Sequence, residues 1–457
     1  MQYVSDLHLH SKYSRAVSPK MTLPLMAEFA RLKGLDILSA SDWTHPLWFK
    51  EIQKLLEEAG EGVYKIKDQS VRQAQDTKSN LKDSQINKDI LFLLSTEISS
   101  IYKQGDKLRR IHNLIFVTSL ATAEKINVEL VKRGCNLSAD GRPIVGLSSK
   151  NLLEMILGID ERCLLIPCHV WTPHFGVYGS KSGFDSLDET FGDLAKYVYG
   201  IETGISSDPE MNWRIPELKN RSILSFSDAH SPANMAREAT IFDLETSSYE
   251  NIRQAIMRKG GAKNRLAYTI EFYPEEGKYH FSGHRNCKTS IAPNELPEKG
   301  MTCPVCNKEF TEGVAPRIEQ LAGSEIAKEY KEITSESGIR WYTDKTQNHP
   351  PYVKLIRLQQ IIAAGLGVTV ASQKVDEMYG KMCPVIASEL DILLKTPLDQ
   401  IENIAGQKIA QTLERVRSGK VTIDPGYDGL YGKVKIWSEG ENQAAAGSEA
   451  PQLSLDI

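Results

Sequence analysis

The sequence predicts an α/β protein with two appended modules, and three observations say so. Strand-like and helix-like patterns alternate through the first 265 residues. Histidines and carboxylates recur at the C-terminal ends of those strands. A compact Cys/His set and then helical patterns follow. The chain has 457 residues, 41% of them apolar and 25% charged, a globular composition whose length calls for two or three domains. No apolar run approaches the ~20 residues of a membrane span. The N-terminus runs straight into a strand with no basic or apolar leader, so export is not expected and the cytoplasm is. The net charge of -4 announces no nucleic-acid partner, but a local basic patch can still hold phosphates on an acidic protein.

The strand candidates are Gln2–Leu9, Leu35–Ala40, Ile90–Ser95, His112–Thr118, Cys163–Cys168, Tyr199–Glu202, Ser222–Ser227 and Ala239–Leu244. Helix patterns lie between them at Thr22–Lys33, Trp48–Ala59, Ala121–Arg133 and Ser149–Leu157. Such alternation implies a largely parallel sheet, whose active site forms at strand C-termini. The polar stretch Tyr64–Asp89 interrupts the pattern and reads as a solvated insertion, with a DNA-facing arm as the alternative.

Four strand ends carry the chemistry: Asp6-Leu7-His8-Leu9-His10, Asp42 with His45, Cys168-His169, and Asp228-Ala229-His230. On a strand, residues i and i+2 leave the same face, so His8 pairs with His10 and Asp228 with His230. One strand histidine is usually a satisfied structural residue. Here six of ten (His8, His10, His45, His112, His169, His230) lie at strand boundaries, and Glu97 follows a strand in the same way. Imidazoles with bridging carboxylates suit Zn, Mn or Fe, and a shared carboxylate can bridge two ions about 3.5–4 Å apart.

These residues resemble the motifs of the PHP (polymerase and histidinol phosphatase) superfamily. The resemblance implies a distorted (β/α)7 barrel with a site for two to three divalent ions (Zn, Mn, Fe or Mg) that hydrolyses phosphoesters. It assigns one ion to His8, His10, Glu97 and Asp228, and a second to Glu97, His112 and His169. A third would fall to His230 with the Asp42/His45 segment. Two departures weaken that third set: Arg15, Ala16 and Val17 stand where a ligand is usual, and His45 comes three residues after Asp42 instead of directly after it. The alternative reading of Asp42 is a partner behind the ligands.

Longer motifs narrow the family. His169-Val170-Trp171-Thr172-Pro173, Gly179-Ser180-Lys181-Ser182-Gly183-Phe184-Asp185 and Ser207-Asp208-Pro209-Glu210-Met211-Asn212-Trp213-Arg214 precede Asp228-Ala229-His230. In this order they closely resemble the endonuclease Q family, over residues 1–436. That resemblance implies a DNA repair endonuclease that nicks 5′ of deaminated bases (uracil, hypoxanthine, xanthine) and at abasic sites. The rival is a small-molecule phosphatase on the same barrel. Lys181 and Ser182 sit in a Gly/Ser loop able to cradle a phosphate, or only in a tight turn. Trp171, Trp213 and Arg214 could stack on a base and hold a phosphate, or pack as core and rim.

Beyond the barrel, His284, Cys287, Cys303 and Cys306 form His-x2-Cys-x15-Cys-x2-Cys, the spacing of a tetrahedral zinc site. Four protein ligands imply a structural ion; His280 is an alternative to His284. Arg317–Glu332 reads as a helix, with Ile318, Leu321, Ile326 and Tyr330 apolar, and Pro350-Pro351 opens another pattern through Leu355 and Ile362. Ile401–Ala410, with Gly406 inside it, is half of a helix-hairpin-helix turn, which offers backbone N–H groups to a phosphate or simply packs. Lys408 lies in it. The expected division is therefore a barrel at 1–265, a zinc module at 266–335, a helical DNA-binding domain at 336–437 and a flexible tail at 438–457. The tail ends Gln452-Leu453-Ser454-Leu455-Asp456-Ile457, which resembles the bacterial sliding-clamp-binding motif, with Gln452, Leu453, Leu455 and Ile457 as its contacts. Damaged DNA and the clamp are thus the expected partners, with no membrane and a nucleoid-associated location.

Overall fold

The computed structural model describes residues 1–67, 89–322 and 330–437. All eight expected strands form; seven are shortened, and the strand expected over His112–Thr118 starts earlier and runs Lys107–Phe116. A ten-stranded sheet runs in the order Tyr330–Thr334, Arg340–Asp344, Tyr352–Lys354, Arg265–Glu271, Ala239–Asp243, Gln2–Asp6, Ile37–Ser39, Leu91–Leu93, Val63–Ile66, Leu56–Gly60. A four-stranded sheet orders Ile144–Val145, Ser95–Gln104, Lys107–Phe116 and Leu164–Pro167. Gly200–Glu202 and Ser222–Leu224 form a parallel pair.

The sheets are mixed, where a largely parallel arrangement was expected. Gln2–Asp6, Ile37–Ser39 and Leu91–Leu93 are parallel, but Ala239–Asp243 runs antiparallel to Gln2–Asp6. Ser95–Gln104 turns straight back into Lys107–Phe116 through Gly105, whose φ of 60° suits a tight turn, and strands joined so closely must be antiparallel. The two faces build separate cores: Trp48, Phe92, Phe191 and Ile241 pack in the larger one, and Leu7, Ile37, Leu93 and Phe242 in a smaller one.

Two expectations change. The Trp48–Ala59 helix ends at Leu55, and Leu56–Gly60 pairs as a strand with Val63–Ile66. The helix expected over Arg317–Glu332 is instead Val314–Ala322. Tyr330–Thr334 is a strand on Arg340–Asp344, where its aromatic and β-branched residues suit a pleated ladder better than a helix. Ile326, most of the polar stretch after Ile66 and the terminal hexamer lie outside the described residues. Among the described residues, no helix is long and apolar enough to cross a membrane.

Among the described residues, five helices fill much of the C-terminal region: Leu358–Leu366, Gln373–Met382, Glu389–Leu394, Leu398–Ala405 and Gln407–Arg417. One buried ion pair fastens them to the first domain. Lys33 Nζ lies 2.7 Å from Glu389 Oε2, with both side chains almost fully buried, and Tyr379 Oη donates to the same oxygen at 2.7 Å. Lys33→Met leaves that carboxylate without its cation, so a loss of about 3–5 kcal/mol is expected by chemical denaturation. A stability change below ~1 kcal/mol would show the pair to be dispensable.

Candidate metal centre

Four strand ends and one hairpin bring the site together. Backbone geometry marks them: Asp42, His169 and Asp228 all have positive φ (37°, 30° and 47°), a left-handed conformation that costs a non-glycine residue energy. Gly204 makes room for one of them, because a Cβ there would stand 2.3 Å from His169 Cβ.

Glu97 is the centre of the set. Its Oε1 faces His169 Nε2 at 3.2 Å and His112 Nδ1 closer still. Its Oε2 faces His10 Nε2 at 3.3 Å and His8 Nε2 at 3.8 Å. Asp228 Oδ1 lies 3.0 Å from His10 Nε2, 3.7 Å from His8 Nε2 and 3.7 Å from His230 Nδ1. Three overlapping groups result: His8/His10/Glu97, His10/Asp228/His230 and Glu97/His112/His169.

These residues fit divalent cations. His8 Nε2, His10 Nε2, His230 Nε2 and Asp228 Oδ1 are buried and have no hydrogen-bond partner, which is costly for polar atoms unless something else is held between them. Asp228 Oδ1 stands 3.0 Å from His10 Nε2 and 3.7 Å from His8 Nε2, the edge lengths of a coordination polyhedron with bonds of about 2.0–2.2 Å. Charge agrees. Burial pushes the Glu97 carboxyl up, but His112 and Arg142 outweigh it and hold it well below the usual carboxylate range. Burial likewise opposes, and His8 and His230 enforce, a strongly depressed Asp228. Burial pushes His112 down to about 4, so it is a neutral donor at pH 7.

The imidazoles are aimed from behind. His8 Nδ1 donates to Glu202 Oε1 at 2.8 Å, and Glu202 Oε2 accepts the His169 backbone N–H at 2.8 Å. His10 Nδ1 sits 3.1 Å from Asp42 Oδ1, while Asp42 Oδ2 accepts from Ser11 N–H (2.6 Å) and Ser14 Oγ (2.9 Å). Asp42 thus stands behind His10, the second of its two sequence readings. His45 is not drawn into the groups: it precedes the Pro46–Leu55 helix and stacks on Tyr13 at 4.5 Å. Cys168 lies near His8 and Glu202, and burial with Glu202 pushes its thiol well above the usual range.

Glu202 and Arg142 were missed in the sequence. Glu202 ends the strand Gly200–Glu202, so the strand-end rule that found the others would have found it. Arg142 Nη1 lies 3.3 Å from Glu97 Oε2, and its loop position carries no periodic signal. Glu202→Gln should weaken metal affinity about 10–100-fold, since partners that orient a ligating histidine carry that much. Metal titration checks it, and an affinity within about twofold of the parent would dismiss the orienting role.

The remaining candidates separate. Trp171 is buried, its indole N–H donating to Asn212 Oδ1 at 2.8 Å. Trp213 packs against His349 and Tyr352, and Arg214 donates to both carboxylate oxygens of Glu319. Lys181 is exposed and Ser182 buried. Lys408 Nζ stands 3.4 Å over the Trp437 ring, beside the turn at Gly406 that joins helices Leu398–Ala405 and Gln407–Arg417. His284, Cys287, Cys303 and Cys306 offer ligand atoms all within 4.8 Å of one another, while His280 is not part of that group.

Two solved structures share this architecture. The lesion-specific endonuclease Q of Pyrococcus furiosus superposes with a TM-score of 0.77 at 27% identity, covering 98% of this chain and 100% of that one. Endonuclease Q bound to a 27-mer duplex with an abasic lesion at its active site gives 0.78 at 28%, covering 97% and 99%. The chain is similar to endonuclease Q over nearly its whole length. A family model, the MJ0043 C-terminal domain, matches residues 357–420, within the helical region of this endonuclease Q relative. YqxK of Bacillus subtilis is 25% identical over 445 residues, covering 94% of this chain and 98% of YqxK. MJ0043 of Methanocaldococcus jannaschii is 28% identical over 273 residues, covering 58% of this chain but only 31% of that longer protein.

Proposed function

We propose that this protein, a nuclease by its similarity to endonuclease Q, is a metal-dependent DNA repair endonuclease that cuts the phosphodiester 5′ of a deaminated base or an abasic site. The observation that carries the reading is the convergence on Glu97 of His8, His10, His112 and His169, with Asp228 alongside, in a fold matching endonuclease Q over nearly its whole length. On this reading the separate ladders around the site correspond to a distorted seven-stranded PHP barrel.

His8, His10, Glu97 and Asp228 would hold one cation, Glu97, His112 and His169 a second, and His230 contributes to a third. Bound there, divalent ions supply an activated water and neutralise charge on the phosphoryl oxygens. The chain's own residues do the rest. Glu202 and Asp42 fix the His8 and His10 rings so that both Nε2 atoms face inward. Glu97 stays ionised and ties two ligand groups to one carboxylate. The lesion leaves the stack at a cost of a few kcal/mol, least for a mispaired or absent base, which itself favours damage. His284, Cys287, Cys303 and Cys306 hold a structural zinc. The functional units are 1–265, 266–335 and 336–437, and the tail at 438–457 tethers the enzyme to a sliding clamp through Gln452, Leu453, Leu455 and Ile457. Activity on nucleoid DNA in the cytoplasm follows from that substrate.

Duplexes carrying one uracil, hypoxanthine or abasic site, incubated with Mn²⁺, Mg²⁺ or Zn²⁺, should be nicked on the 5′ side of the lesion. Intact duplexes together with phosphate release from a monoester would replace this reading by the phosphatase one. Clamp pull-down should fail for a chain ending at Pro451; equal capture would remove the tether.

A further inference from the structure

The hairpin that supplies Glu97 and His112 also reaches outward. Its inner half is buried, and its outer half, from Lys103 to Leu108, is exposed. Residues 103–110 hold Lys103, Lys107, Arg109 and Arg110 against one acid, Asp106. Arg110 and His112 are two residues apart on one strand, so they leave the same face. Phe175 spans the step between them: its ring centroid is 4.4 Å from that of His112 and 5.9 Å from the Arg110 guanidinium carbon.

The loop bearing Phe175 is pinned to the hairpin. His112 N–H donates to Phe175 O at 2.9 Å. Ser182 Oγ accepts the Phe175 N–H at 3.3 Å and donates to Arg110 O at 3.4 Å, and Arg109 donates to Gly183 O. This docking brings exposed His174 and Lys181 beside Arg110. Burial first, then the Arg110 and Lys181 cations, lower the His174 pKa, so the three groups share one field. Among the described residues no carboxylate pairs with Arg110 or Lys181. Exposed lysines on a hairpin usually face only water. Two cations without a paired acid, Arg110 and Lys181, with the His174 imidazole beside them on a loop pinned to the hairpin, are instead a standing receptor for an anion.

We infer that Arg110, His174 and Lys181 form a rim that binds a backbone phosphate flanking the one cut at the metal centre, with Lys103 and Lys107 extending the contact along the same strand. The inference rests on the nuclease reading and deepens it. Phosphates of one strand recur about every 3.4 Å of helix axis, and two residues of a β-strand span roughly 6.6 Å, so a neighbouring phosphate is within reach of Arg110.

The test is salt dependence. For the wild type, R110Q/K181Q and a K263Q control, equilibrium binding and cleavage of an abasic-site duplex are measured between about 50 and 200 mM salt. In the double variant the slope of log affinity against log salt should flatten by ~0.9 for each cation removed. KM should rise several-fold while kcat stays within about twofold. Metal content should be unchanged, K263Q should match wild type, and R110K should restore the slope. K181Q alters only an exposed side chain and carries the same reading alone if the double variant does not fold. An unchanged slope, or a fall in kcat without a change of slope, overturns the rim. Wild-type protein that neither binds nor nicks the duplex overturns the nuclease reading instead.

Discussion

Replacing Glu97 by glutamine is expected to slow single-turnover nicking about 10³-fold or more, equivalent to ~4 kcal/mol of transition-state stabilisation, with duplex affinity retained. The size follows from position. Oε1 serves the His112/His169 side and Oε2 the His8/His10 side, so one side chain belongs to two of the three ligand groups. Glutamine keeps the volume but removes the charge, and it turns one of those oxygens into an N–H donor. Two otherwise separate ligand groups would then lose their common carboxylate. Metal content should fall alongside the rate. Asp228→Ala should act in the same direction, because Oδ1 faces His8, His10 and His230. Full turnover in either variant would mean that the chemistry lies elsewhere.

The ligands were legible in the sequence because the chemistry repeats a local rule: an apolar strand ending on an acid or an imidazole. What escaped was structure whose pattern the site itself distorts. Ser95–Gln104 gave no strand signal beyond its start, since Ser95, Thr96, Glu97, Ser99 and Ser100 are polar yet buried. Two of them bond other polar groups: Ser95 Oγ bonds Leu7 O and Ser39 Oγ, and Ser100 Oγ accepts from Asn113. A binary pattern fails where a functional interior is polar. The outer ladder was illegible for another reason. Arg265–Glu271 pairs in parallel with Tyr352–Lys354 across more than eighty residues of sequence, and nothing local encodes such a partner. Asp42 and His45 show the limit of motif reading. Their spacing admits ligation, and only the hydrogen bonds from Ser11 and Ser14 place Asp42 behind His10.

The second large effect is expected at the cysteines. Cys303→Ala should release one zinc per chain, expose residues 282–312 to proteolysis and weaken duplex binding about tenfold, or ~1.4 kcal/mol. This segment has little else to hold it. Its own buried cluster is Ile291, Cys303 and Phe310, too few apolar residues to order a chain against its conformational entropy. Zinc in such sites contributes on the order of 10–16 kcal/mol to short peptides, far more than those contacts. The damage should spare the N-terminal ligand groups but reach the C-terminal hairpin. Phe281 bridges Tyr427, and Gly429 N–H donates to Lys278 O, so the module and the segment Thr422–Lys435 brace each other. Proteolysis with and without a chelator, read beside zinc content, distinguishes the outcomes. A variant that keeps its zinc and its protection would show that three ligands suffice. A variant that loses zinc but stays protected would show that the brace alone holds the module, and the tetrahedral set would then have no structural role.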